Sequence, residues 1–162
     1  MGFDSIVASI LTLALIVAVI YVFVSGSLSL IDLSISEYKK EAHKFIEILN
    51  TKINITNIVY DNTINEVIAD IENIGETRFS DFSYFDVFLY GNASGYTGTY
   101  YPSIAEVDTY LTNEITNPGI FDPYEVARFE ISLNNSLPNG TYVLVICAPN
   151  GVCCSGKFVV GG

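Results

Sequence analysis

Three hydrophobic periods follow one another along this chain. Residues 6–24 form an uncharged apolar run of 19 residues, from Ile6 through Leu13 and Val17 to Val24, interrupted only by Ser9 and Thr12. At about 1.5 Å rise per residue, a helix of that length just crosses a bilayer core of about 30 Å. Leu28, Ile31, Ile35, Tyr38, Ala42, Phe45 and Leu49 then recur at alternating spacings of three and four, a heptad stripe, with Glu37, Lys39, Lys40, Glu41, Lys44 and Glu47 on other faces. Beyond Lys52 the period falls to two. Val67, Ala69 and Ile71 alternate with Glu66, Asp70 and Glu72. Phe85, Val87 and Leu89 alternate with Asp86, Phe88 and Tyr90, and Ala127, Phe129, Ile131 and Leu133 with Arg128 and Glu130.

These periods predict three segments: a membrane anchor over 1–25, an amphipathic stalk helix over 26–50 and a β-domain over 51–162. Ser25-Gly-Ser-Leu-Ser29 reads as a kink or membrane exit, with Ser34-x-x-Glu37 as a capping box if the helix restarts there. The stripe pairs with another subunit or folds back onto its own domain; the two readings stand level. Residues 142–147 and 157–160 are two further apolar strands around Pro149-Asn-Gly151, a hairpin signal. Six or seven short strands separated by turn signals indicate an all-β, antiparallel sandwich of immunoglobulin type, without the Trp of antibody cores.

Charge and sequons bear on the side of the membrane. The chain carries −11, and from residue 51 onward 13 acidic residues face Lys52, Arg78, Arg128 and Lys157. Such a surface repels nucleic acid and anionic headgroups. Four N-x-[ST] sequons, at Asn54, Asn92, Asn134 and Asn139, mark a glycosylated exterior domain and fall mostly in expected turns. Lys39, Lys40 and Lys44 oppose this, because the positive-inside rule puts them in the cytoplasm. They alternate with glutamates on the stalk, and residues 30–162 are expected outside, on a single-pass protein of the cell membrane. No basic n-region precedes the apolar run and no cleavage site follows it, so it reads as a retained anchor.

Catalytic chemistry finds little here. His43 is the single histidine and lies in a charged helical stretch, and three cysteines without a fourth ligand make a poor zinc site. No enzyme activity and no cofactor are expected. A two-residue Asn150-Gly151 turn would set Cys147 opposite Cys154, while a three-residue loop would set it opposite Cys153. The first is favoured, as a Cys147–Cys154 bridge with Cys153 free on the other face; three buried thiols are about as well supported. Nine aromatics crowd residues 79–101. Among them Phe88, Tyr90, Tyr100 and Tyr101 are the candidate partner face, since exposed Tyr-rich surfaces are typical contact surfaces.

The order of these features resembles the archaellum accessory proteins F and G of archaea, particularly F. The resemblance rests on Met1-Gly-Phe3 opening into an apolar helix, on the strand end Ile71-Glu-Asn-Ile-Gly-Glu-Thr77 with its N-x-G-x-T spacing, and on Tyr84-Phe-Asp-Val-Phe-Leu-Tyr-Gly91. Asp122-Pro-Tyr-Glu125 is similar to a Pro-Gly-Glu turn, with Tyr124 where Gly is usual, and Gly140-Thr-Tyr-Val143 and Asn150-Gly151 to the final hairpin. The resemblance implies a membrane-anchored sandwich gripping the S-layer protein lattice as part of a stator; the heptad stripe is expected to pair with a copy of itself or a related subunit. The cysteine cluster is no part of the family's pattern. A type IV pilin-like filament subunit is the alternative. Pilins begin with a short basic leader and processing site, for which Met1 to Ser5 leaves no room unless the numbering starts at a processed terminus, in which case the objection falls.

Overall fold

The computed structural model describes residues 3–161, so the Met1-Gly2 start of the resemblance lies outside the described residues. The chain divides into two compact units, Met1–Lys44 and Phe45–Gly162. One helix, α1 (Phe3–Asn50), spans 48 residues. It is long and apolar enough to cross a membrane. The expected kink at residues 25–29 is absent. Ser25, Ser27 and Ser29 donate their hydroxyls back to the carbonyls of Val22, Phe23 and Ser25, and the helix runs on through them. Ser34 likewise donates to the Leu30 carbonyl from mid-helix and caps nothing. Along the stripe, every apolar side chain except half-buried Ala42 is exposed.

The second unit is an antiparallel sandwich of seven strands: β1 (Ile53–Asp61), β2 (Glu66–Asn73), β3 (Asp86–Ala93), β4 (Ile104–Asn113), β5 (Val126–Leu133), β6 (Gly140–Cys147) and β7 (Cys153–Val160). One sheet has the order β1-β2-β5-β4 and the other β3-β6-β7. Lettered A to G, this is the ABED and CFG arrangement of a constant-type immunoglobulin domain. The Tyr142 hydroxyl donates to the Pro138 carbonyl four residues upstream at 2.8 Å, the tyrosine corner of that fold.

Alternation builds the core. Val67, Ala69 and Ile71 of β2 face Ile131, Phe129 and Ala127 of β5 in register, so large and small side chains interleave. Tyr142, Leu144 and Ile146 of β6 close over them, and all nine are essentially without exposed surface. Phe79, Phe82, Phe85, Phe121 and Phe129 form one aromatic cluster, with neighbouring rings 5.2–6.4 Å apart. Core packing therefore claims Phe79, Phe82 and Phe85 from the aromatic-rich stretch.

Candidate partner-binding face and its supports

The Asn-x-Gly-x-Thr strand end of β2 seats the last turn of α1. Ile74 N–H donates to Lys52 O and Glu76 N–H to Asn50 O, both at 2.8 Å. Gly75 lies so close to Asn50 and Lys52 that a Cβ would meet their backbones. Thr51 donates its hydroxyl to the Glu47 carbonyl at 2.7 Å and sits 2.8 Å from the Thr77 hydroxyl. Asn150, at the tip of the β6–β7 hairpin, donates its amide to Thr51 Oγ1 at 2.6 Å.

Asn73 is wholly buried and links this seat to the turn at residues 122–125. Its amide donates to Thr77 O and Phe121 O, and its backbone exchanges bonds with Glu125 O and Tyr124 N. Tyr124 takes φ +68°, the left-handed conformation that glycine adopts freely, while its ring stays 69 % exposed. Glu125 has no exposed surface and accepts three backbone N–H groups, from Ile115, Thr116 and Asp122. Burial alone would raise its pKa; the three donors outweigh burial and hold it below the usual carboxylate range. Buried Asp122 behaves the same way, its burial outweighed by Asn117 side-chain and backbone donors with Arg78 Nε 3.0 Å away. Sequence pattern missed this pair because acidic residues in a turn read as solvated.

The candidate contact residues do not all lie free. Phe88 and Tyr101 are 52 % and 71 % exposed. Tyr90 is half-buried, its ring 6.2 Å from that of Tyr101. Tyr100 is half-buried against Tyr96 and the buried Tyr142. Tyr90 thus supports Tyr101, while Tyr100 turns toward Tyr96 and the core. All four sequon asparagines are exposed, but Asn54 and Asn92 lie within β1 and β3 instead of turns.

The disulfide differs from the expected one. It joins Cys147 to Cys153, which face each other in the β6–β7 register with Cα atoms 4.0 Å apart. Cys154 is the free and buried thiol, and burial pushes its pKa up to about 11. The cause is Pro149. In a two-residue hairpin it would be a strand residue asked to donate an N–H that it lacks. Instead it enters a three-residue loop, with Gly151 N–H bonded to Ala148 O at 2.8 Å and Gly151 at φ +83°. That loop moves the pairing by one residue and turns Cys154 inward.

No family model matches this chain. Among solved structures, the archaellum periplasmic stator protein FlaG of Sulfolobus acidocaldarius is 24 % identical with a TM-score of 0.46, over 67 % of this chain and 99 % of that one. The complex of FlaF and FlaG from the same organism gives the same identity and TM-score, over 67 % of this chain and 89 % of that one. An uncharacterized protein of Archaeoglobus fulgidus is 44 % identical over 160 residues, which is 99 % of this chain and 98 % of that protein. The chain belongs to the same family as this Archaeoglobus fulgidus protein.

Proposed function

We propose that this protein is a non-enzymatic, membrane-anchored subunit of the archaellum machinery, of the F/G stator kind. In this reading the N-terminal part of α1 crosses the cell membrane and the sandwich lies outside, holding the S-layer lattice. The stripe from Leu28 to Leu49 pairs with a copy of itself or a related subunit. The observation that carries the reading is the seat at Asn73, Gly75 and Thr77. The strand end by which the sequence resembles the F and G proteins is where the last helical turn is fastened to the sandwich. A rotating filament needs a fixed point, and a fluid bilayer resists no torque, so the outer domain must hold a rigid lattice. Phe88 and Tyr101 offer it large contact area at low entropy cost.

The test is co-sedimentation of the full-length chain in detergent with isolated S-layer. Phe88→Ala and Tyr101→Ala should each weaken binding by at least ~1 kcal/mol while the domain stays folded. A second reading, a pilin-like filament subunit, draws on one observation. α1 runs 48 residues unbroken, about 72 Å and more than twice a bilayer core, with apolar side chains exposed to its end. If the chain ignores the S-layer and is recovered along sheared filaments, that second reading replaces the first.

A further inference from the structure

The sandwich is open along one side. At the other side β1 packs against β7. On the open side, the inward face of β4 is only partly covered, with Thr109 and Leu111 half-buried and Val107 exposed. Val107 pairs in register with Ile131, yet Ile131 has no exposed surface and Val107 is 37 % exposed. Two depressions follow this seam. One, of about 410 Å³, is lined by Val87, Leu89, Tyr101, Pro102 and Ile104. The other, of about 290 Å³, is lined by Phe82, Phe85, Val107, Thr109 and Phe129.

The free edge of β3 borders the seam. Gly91 exchanges two hydrogen bonds with Tyr100 on that edge, at 2.9 and 2.7 Å. Backbone alternation puts the N–H and C=O of Leu89 and Val87 on the same edge. The place beside them is where variable-type immunoglobulin domains add a further strand to this sheet.

The chemistry around the edge selects the occupant. Positions of an added strand that face inward meet the two depressions, the first mainly apolar and the second mixed, with Ser83 and Thr109 among its rings. Positions that face outward meet Asp86 and Phe88, both exposed on the outer side of β3. A cation there is drawn to the carboxylate and to the ring face. Asp81, Glu106 and Asp108 are further exposed acids nearby in the chain, and residues 79–127 contain no Lys, Arg or His at all. A second copy of this acidic domain would be repelled.

We propose that the β3 edge binds an extended segment of another protein, as an added strand with apolar residues alternating with Lys or Arg. The paired stretch is short, centred on Val87 and Leu89, because the Phe85 N–H already donates to Phe82 O and Tyr100 already covers Gly91. The site shares Phe88 and Tyr101 with the proposed S-layer contact, but its occupant is defined by charge and strand pairing, so the peptide titration tests it whether or not the chain binds the S-layer.

The test uses the full-length chain in detergent and fluorescent peptides in an anisotropy titration. The probe is acetyl-(Lys-Val)4-amide; its controls are (Glu-Val)4 and (Lys-Val)4 N-methylated on either alternate set of residues. The cationic peptide should bind and the acidic one should not. N-methylation of the set that faces β3 should weaken binding at least ~10-fold with charge and side chains unchanged. Val87→Pro, which removes an N–H from the free edge, should cause the same loss, with a melt to check that the domain still folds although some Val87 packing is lost. If that variant unfolds, the N-methylated peptides decide alone. Equal binding of both N-methylated sets, equal binding of the acidic peptide, or no binding at millimolar peptide would each overturn the proposal.

Discussion

Glu125 accepts the backbone N–H of Ile115 at 2.6 Å through a carboxylate with no exposed surface. The bond crosses from the β4–β5 loop to the start of β5, and two more backbone donors share the same side chain. Replacing the carboxylate by an amide sets an NH2 against an N–H donor. Glu125→Gln should therefore lower stability at pH 7 by about 2–3 kcal/mol, read from denaturant midpoints.

Acid should act on the same turn. The folded pKa values of Asp122 and Glu125 lie below their ordinary values, so each contributes stability that is complete above the ordinary carboxylate range. That contribution is lost as pH falls from about 4 through the lowered folded values. Denaturation series at pH 7, 4 and 3 should show the loss, and Glu125→Gln should flatten it. An equal acid dependence in the variant would assign the effect to other carboxylates.

Non-reducing peptide mapping should recover Cys147 linked to Cys153. Cys154, buried with its pKa near 11, should resist alkylation in the folded protein and react once denaturant is added. Rapid native labelling of Cys154 would contradict the inward placement.

Gly75 and Tyr124 should respond in opposite directions to exchange of a glycine. Gly75→Ala forces a Cβ against the backbone of Asn50 and Lys52 and should cost about 1–3 kcal/mol. Tyr124→Gly removes a left-handed penalty of roughly 1–2 kcal/mol, less the entropy glycine loses on folding, so a gain of up to about 1 kcal/mol is expected. Thermal melts of the two variants check both signs.

Protease added to intact cells should remove the sandwich if residues 30–162 face outward. Full protection would put the domain on the cytoplasmic side, where the lysine count alone would place it.

The strands legible in the sequence were those with one buried face. β2, β5 and β6 alternate cleanly because every second residue meets the opposite sheet. β4 gave no such signal, since its inward residues are only partly covered. β1 lost its period at an irregularity in register between Ile55 and Asn57. The aromatic stretch was visible, but which rings support and which reach solvent depends on Tyr142 and Phe129, distant in sequence. The disulfide turned on one missing N–H at Pro149, a detail that hydrophobic patterning does not encode. The helix runs unbroken through Ser25-Gly-Ser, where composition suggested a bend, with the serine hydroxyls bonded to carbonyls one turn back.

The seat under the last helical turn bears on how the domain responds to mechanical load. A pull that enters at Asn50 does not reach β1 directly. It meets the bonds from Ile74 and Glu76, the Thr51–Thr77 contact and the Asn150 clasp together, so the force divides over two sheets before any rung of β1 is stressed. The cross-link between Cys147 and Cys153 keeps the hairpin that carries Asn150 from opening under that share. Peeling of the first strand from its sheet edge is thereby delayed until four separate attachments have failed at once.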